Sequence, residues 1–189
     1  MHSFSSYLLS FWDIPEASLE ILLNLFTPRH FKKNDFYARA GDQAKKLGFL
    51  EEGIMRAYYQ NDKGEEFNKL FFTNPAIVGP YSALITGETN KINIQWLTDG
   101  TLLEANFQDI IDLYTAHRSI ESLNRKIAED FFVKKEKREM SLVMFDAAER
   151  YAVFQKEFPE LENSIAQYHI ASYLGVTPTQ LSRIRAKKA

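Results

Sequence analysis

The spacing of hydrophobic residues divides the 189-residue chain into segments with different predicted structure. Between Pro15 and Phe26 the apolar residues fall on one helical face and predict a short helix. From residue 29 to 106, short runs of alternating apolar and polar residues are separated by turn residues and predict strands. Asp99-Gly100 predicts a two-residue hairpin between two such strands. Many short strands of this kind favour an antiparallel sandwich or roll.

A long helical segment is predicted after Phe107, because apolar residues then recur every three or four positions. The pattern extends to about Phe158, with a break predicted between 141 and 146. This segment could pack its apolar stripe on the chain's own β-domain or on a second copy of the chain. A dimer interface is the favoured prediction, since the C-terminal residues predict a helix-turn-helix, and proteins with this motif usually work as symmetric dimers. The stripe consists of Ile120, Leu123, Ile127 and Phe131.

The C-terminal segment 167–185 predicts two short helices joined by a tight turn. Apolar residues of the first helix share one face, and Gly175 follows as a stop that tolerates a positive φ. Thr177 is placed to cap the second helix, with a proline at its first helical position. Leu181 and Ile184 form a narrow apolar stripe, and the opposite face is polar and cationic. This pattern is typical of a helix-turn-helix whose second helix enters the major groove of DNA.

Charge is distributed unevenly along the chain. The whole sequence has 23 Lys+Arg against 25 Asp+Glu, yet no acidic residue follows Ser164. A basic tip on an acidic body favours the approach of DNA in one orientation. Four cations occupy this tip: Arg183, Arg185, Lys187 and Lys188.

Composition excludes several classes of chemistry. Cysteine is absent, which rules out disulfides, thiolate catalysis and metal sites held by cysteine, and fits a reducing cytoplasm. The N-terminus lacks the basic start and apolar run of a signal peptide, and no apolar run approaches membrane-spanning length. The sequence therefore predicts a cytoplasmic protein without a membrane partner.

Two segments resemble the Crp/Fnr family of bacterial transcription regulators, also called catabolite activator-like proteins. Residues 36–53 are similar to the opening of the cyclic nucleotide-binding fold, with a Gly41-Asp42 turn, an apolar strand and then Gly53 at the start of the next strand. The segments 174–177 and 181–184 fall in the register of the family's helix-turn-helix.

The resemblance implies an α+β fold in three parts. Residues 1–115 would form an antiparallel β-roll (a double-stranded β-helix of the cyclic nucleotide-binding type) with an N-terminal helix. Residues 116–142 would form a long dimerisation helix, and 143–189 the helix-turn-helix domain. Two recognition helices about 34 Å apart would then read a roughly palindromic site in double-stranded DNA. RNA polymerase is a further partner that the resemblance implies.

Positions in the motif imply roles for the recognition helix. Thr179, Gln180 and Arg183 are the candidates for base reading, because Arg183 can donate two hydrogen bonds to guanine and Gln180 can pair with adenine. The remaining polar positions are expected to contact phosphates or to be merely solvated. These phosphate candidates are Gln167, Thr177, Ser182, Arg185 and Lys187.

In the Crp/Fnr family a short segment of the β-roll binds the phosphate of the cyclic nucleotide. The corresponding segment of this chain, from Gly79 to Lys91, differs from the family pattern. Members that bind cyclic nucleotides have Gly-Glu and, about a dozen residues later, Arg followed by Ser or Thr. Here Gly79 precedes Pro80, which lacks an N–H donor, and Lys91 is the nearest cation. A lysine cannot replace the two-pronged arginine clamp, so the sequence argues against cyclic AMP as the effector.

Another small molecule in the same pocket, or none, remains open at this point. The alternative for the candidate pocket residues is that they only form turns and strand ends. The candidates are Gly79, Tyr81, Ser82, Asn90 and Lys91.

An enzyme is the main rival class, because β-rolls also resemble the metal-holding cupins. The four histidines are scattered without the spacing of metal ligands, and no nucleophile elbow, phosphate-binding loop or dinucleotide motif occurs. Neither an enzymatic activity nor a resident metal or cofactor is expected. A third class is a small-molecule- or partner-binding module of cyclic nucleotide-binding or cupin-like fold that does not bind DNA specifically. The favoured prediction is a homodimeric transcription regulator with a degenerate effector pocket.

Overall fold

Short strands build the antiparallel β-roll that the sequence predicts. The computed structural model describes residues 2–186. The strands in this range are β1 (Thr27–Phe31), β2 (Phe36–Ala38), β3 (Lys46–Glu52), β4 (Ile54–Gln60), β5 (Glu66–Thr73), β6 (Ala76–Val78), β7 (Asn93–Trp96) and β8 (Gly100–Asn106). They form two four-stranded sheets with the orders β1-β8-β3-β6 and β2-β7-β4-β5. The α+β fold class is therefore confirmed.

Helices precede, interrupt and follow the strands. Within the described range they are α1 (His2–Leu9), α2 (Glu16–Asn24), α3 (Tyr81–Thr86), α4 (Phe107–Asp112), α5 (Arg118–Met144), α6 (Ala147–Glu157), α7 (Leu161–Ser164), α8 (Gln167–Leu174) and α9 (Pro178–Ala186). The predicted helix after Pro15, the long helix and its break before Asp146 are all present. None of these helices is both long and apolar enough to cross a membrane.

The expected N-terminal helix is α2, and a further helix before it, α1, was not expected from the sequence. Phe4 and Leu8 are buried, and the Phe4 ring stacks on Phe49 of β3 with centroids 4.3 Å apart. This contact covers one face of β3, whose residues 47–50 are all buried. A strand that is covered on both faces has a continuous run of apolar residues. Its sequence therefore does not indicate on which face a helix packs.

The predicted Asp99-Gly100 hairpin is wrong. The flanking strands β7 and β8 belong to different sheets, so the turn carries the chain from one sheet to the other. Asp99 accepts hydrogen bonds from the backbone of Lys33 at 2.8 Å and from Lys32 Nζ at 2.9 Å. A side chain at Gly100 would collide with the Trp96 ring. The glycine is thus required by close packing at a corner of the roll.

The chain divides into two compact units whose limits differ from the predicted domain boundaries at 115 and 142. The first unit contains the chain up to Ala57 together with Phe71–Asp130. The second contains Tyr58–Leu70, which is the tip of the β4–β5 hairpin, and the chain from Phe131 onwards. Turn and period signals are local, so they do not reveal that a hairpin tip packs with helices a hundred residues away.

The interpretation of the α5 stripe as a dimer seam is corrected for most of its length. Ile120, Leu123 and Ile127 are buried by the chain itself, and Phe131 is half-buried. The alternative, packing within the chain, therefore applies to these residues. Side chains already enclosed by their own chain cannot form the surface that meets a second copy.

Candidate nucleic-acid interface and effector region

The turn between α8 and α9 has the geometry that its sequence predicts. Gly175 adopts φ 68° and ψ 36°, the left-handed conformation of a helix C-terminus. The Val176 N–H donates to the Ala171 carbonyl at 3.0 Å and closes the last turn of α8. Leu174 and Leu181 are buried on the two sides of the turn. The two helices are thereby held by a short connection with an apolar interior.

The start of α9 is closed by a capping box. Thr177 Oγ1 accepts a hydrogen bond from the Gln180 N–H at 3.2 Å, and Gln180 Oε1 accepts one from the Thr177 N–H at 2.9 Å. Gln180 is exposed, but its carbonyl oxygen is engaged with the cap. The expected contact of Gln180 with a base would therefore compete with the cap for the carbonyl oxygen.

The outward face of α9 gathers exposed polar side chains. With about 100° of rotation per residue, Thr179 and Arg183 lie on the side of the helix opposite the buried Leu181. Ser182 flanks them and is also exposed. Gln167 is exposed at the start of α8, and Lys187 lies outside the described residues. Three of the predicted contacts on α9 are thus brought to one solvent-facing surface.

Arg185 has a different environment from Arg183. Its Nε lies 3.0 Å from Glu162 Oε1 in an ion pair, and the side chain is only 34% exposed. This ion pair directs the guanidinium toward α7. It does not support the phosphate contact that the sequence predicts for Arg185, which stays a prediction.

Two arginines hold the C-terminal end of α8, and the sequence analysis did not single them out. Arg138 of α5 donates to the Tyr173 carbonyl, and its guanidinium lies 3.9 Å from the Tyr173 ring centre. Arg150 of α6 donates to the Leu174 carbonyl at 2.9 Å. Both satisfy carbonyls that the end of a helix leaves open. Burial is the main influence on the pKa of Arg138 and lowers it. The guanidinium nevertheless remains charged at neutral pH.

The β4–β5 hairpin tip is part of the same unit and binds α8. Ser172 Oγ accepts from the Asn68 N–H at 2.9 Å and donates to the Glu66 carbonyl at 3.0 Å. Asn68 Nδ2 donates to the His169 carbonyl at 2.8 Å, and both side chains are buried. His169 is thereby packed between α8 and the hairpin tip, away from solvent. The Ser172 hydroxyl therefore binds one N–H and one carbonyl group at the edge of β5.

The effector region begins at the turn between β6 and α3. Pro80 precedes α3 with φ −78° and ψ 65° and provides no N–H donor. Tyr81 and Ser82 are exposed in the first turn of this short helix. The Tyr81 ring lies 6.0 Å from Phe107 of α4 in an edge-to-face contact. The first half of the predicted pocket is thus an exposed helix start beside an aromatic neighbour.

Asn90 has a structural role in the second half of this region. Its Nδ2 donates to the carbonyls of Arg39 and Ile92, both at 2.7 Å, and its Oδ1 accepts from the Ile92 N–H at 3.0 Å. Its backbone is paired with Gly41 and Asp42. The side chain is buried and fastens the Gly41-Asp42 turn, which favours the alternative that it is a turn residue. Lys91 is exposed.

A buried cation that the sequence did not point to lies elsewhere in the β-roll. Arg56 of β4 is 4% exposed and donates through Nε and Nη2 to Gln95 Oε1 at 3.1 and 2.7 Å. It is thereby tied to β7. Within the part of the chain that the structure describes, no cluster of His, Asp and Glu has the arrangement of a metal site.

Comparison with known proteins places these features in context. Residues 28–117 match the family model of the cyclic nucleotide-binding domain. This segment contains the β-roll and the region around Pro80. No curated protein matches the chain significantly in sequence.

Solved structures share the fold over most of the chain. FixK2 from Bradyrhizobium japonicum superposes with a TM-score of 0.75 at 16% identity, covering 86% of this chain and 83% of FixK2. The c-di-GMP-responsive global regulator CLP from Xanthomonas campestris gives 0.69 at 15% identity, with 92% and 91% covered. The catabolite activator protein of Thermus thermophilus gives 0.58 at 17% identity, with 94% and 84% covered. The chain therefore has the fold of Crp/Fnr-type regulators.

Proposed function

We propose that the protein is a homodimeric DNA-binding transcription regulator whose helix α9 enters the major groove. The observation that carries this proposal is the outward face of α9, where Thr179, Ser182 and Arg183 are exposed. A capping box, a left-handed glycine and two half-buried arginines hold this face in place. Hydroxyl and guanidinium groups presented on a rigid helix are the donors that base edges and phosphates require.

A dimer interface is proposed on the face of α5 opposite Ile120, Leu123 and Ile127. Phe132 and Val143 are 60% and 82% exposed, and Val133, Met140 and Met144 are exposed beside them. At about 100° per residue these five side chains share one side of the helix. Such a stripe is typical of a helix that packs against a partner. A second copy of the chain would pair the two recognition helices.

The proposal includes a sensor domain that does not use cyclic AMP in the usual way. Pro80 provides no N–H donor in the turn before α3. The Asn90 amide is already hydrogen-bonded to the backbone of the chain. No arginine stands in the sequence where the phosphate clamp is expected. Recognition of the cyclic phosphate would therefore lack the arginine clamp and one backbone donor.

Selection of bound sequences from a random pool of DNA duplexes, with and without cyclic AMP, tests the proposal. An enriched palindrome in the absence of nucleotide is the expected result. Enrichment only with cyclic AMP would overturn the reading of Pro80 while leaving the regulator role. Absence of enrichment under both conditions would mean that the protein does not bind DNA specifically without an effector. That result would favour the alternative of a partner-binding module.

A further inference from the structure

The two arginines of the recognition helix differ in their partners. Arg183 is exposed and has no ion-pair or hydrogen-bond partner among residues 2–186. Arg185 Nε lies 3.0 Å from Glu162 Oε1, and the Glu162 side chain is only 15% exposed. One cation of α9 is thus available to DNA, and the other is already neutralised within the protein.

Glu162 also binds α6, so a single carboxylate joins three helices. Tyr151 OH donates to its Oε1, and Gln155 Nε2 donates to its Oε2 at 3.3 Å. Gln155 Nε2 also donates to Tyr151 OH at 3.0 Å. Burial raises the pKa of Tyr151 to about 12, and the Glu162 hydrogen bond and charge act in the same direction. The phenol therefore remains a hydrogen-bond donor to the carboxylate at neutral pH.

We propose that Arg185 is a positioning residue that holds the recognition helix on α6 and α7 through Glu162, and that it does not neutralise a DNA phosphate. The inference rests on the proposed DNA binding and assigns Arg185 a role different from the one expected from the sequence. Moving the guanidinium to a phosphate would leave a largely buried carboxylate with two neutral partners. A buried charge that loses its counter-ion is strongly destabilising, so the ion pair persists in the DNA complex.

The salt dependence of DNA binding distinguishes positioning from phosphate contact. The variants are Glu162→Gln, Arg185→Gln, and the double variant, which keeps the net charge of the original protein. Affinities for the selected duplex and for a random duplex are measured over a series of salt concentrations. Arg183→Gln serves as the matched control on the same helix and should alter base preference at one position.

Positioning predicts that all three variants leave the slope of log affinity against log salt unchanged. The ratio of specific to random affinity should fall about tenfold or more in each, since α9 loses its ion pair with α7. A slope smaller in magnitude by about 0.9 in Arg185→Gln would mean that a phosphate contact was lost and would overturn the inference. Tighter binding by Glu162→Gln would overturn it as well, because it would mean that the carboxylate competes with DNA for Arg185.

Thermal unfolding without DNA separates this inference from the proposed function. If the two side chains act as one link, each single variant lowers the unfolding midpoint and the double variant lowers it no further. Additive effects of the two substitutions would contradict the link even in a protein that binds no DNA. A coupled pair in a protein that binds no duplex would instead contradict the proposed function, together with the part of the inference that concerns DNA.

Discussion

Arg183 and Arg185 lie two positions apart, yet the helix turns them toward different surroundings. The sequence treats them alike, because both extend a basic C-terminal tip. The structure separates them, since Glu162 lies just before the acid-free segment and neutralises one of them. At the scale of single residues, a count of charges in a segment is therefore a poor guide to the charge that a helix presents to a partner.

Replacing Arg183 by Ala should weaken binding to the preferred site by ~1–3 kcal/mol and relax the preference at one base pair per half-site. The reason is that an exposed guanidinium can donate two hydrogen bonds to a guanine edge. Competition binding with singly substituted duplexes measures both effects, with Arg118→Ala on α5 as an exposed arginine control. Equal weakening on every duplex would instead assign Arg183 to a phosphate.

Two tyrosines of the second unit should make its stability sensitive to alkali. Burial is the main cause that raises the pKa of Tyr151 and of Tyr173 to about 12. An unfolded tyrosine titrates near pH ~10, so the unfolded state loses its protons first. The stabilisation is complete below that pH and is lost as the pH rises from about 10 to about 12.

Unfolding midpoints recorded from neutral to alkaline pH, together with phenolate absorbance, test this expectation. Tyr151→Phe should flatten the decrease above pH ~10, since the group that titrates is removed. Tyr168→Phe is the control, because Tyr168 is 57% exposed. An unchanged decrease in Tyr151→Phe would show that other groups cause the alkaline instability.

At the scale of elements, the end of α8 depends on side chains from other helices. Arg150 donates to the Leu174 carbonyl at 2.9 Å and to the Phe145 carbonyl at 2.6 Å. Arg150→Ala should therefore lower the free energy of unfolding by about 1–3 kcal/mol, because two carbonyls lose a charged donor. Urea unfolding measures the change. Lys156→Ala on the same helix is the exposed control, and an equal effect of both substitutions would contradict this account.

The elements that could be predicted are those that local chemistry determines. The turn at Gly175 and the cap at Thr177 follow from residues within a few positions, and both occur as predicted. The stripe of α5 was found from its period, but the period does not say what covers a face. The Asp99-Gly100 turn was misassigned because its conformation depends on Lys33 and on the Trp96 ring, which are distant or buried.

The candidate site shows the same division. The exposed face of α9 followed from the sequence, because a helix period and one buried leucine define it. Its supports did not follow, since Arg138 and Ser172 act on backbone groups that are 35 and 106 residues away. Side-chain bonds to distant backbone leave no periodic signal.

At the scale of the whole molecule, assembly should depend on the exposed face of α5. Phe132→Glu combined with Val143→Glu should give a monomer at concentrations where the unchanged protein is dimeric, because charges replace the apolar stripe. Sedimentation or light scattering measures the mass. Lys135→Glu changes an exposed residue outside the stripe and should leave a dimer. A dimer that survives the double substitution would place the interface elsewhere.

The hairpin tip bound to Ser172 has a consequence for how this protein can be recombined. The second compact unit is assembled from two separated stretches of chain, Tyr58–Leu70 and the part from Phe131 onwards. A gene fragment that begins at residue 131 would encode the helices but not the strand edge that Ser172 binds. Exchange of the C-terminal helical unit with that of a protein of similar fold therefore requires two coordinated crossovers, or a recipient whose own hairpin already complements α8.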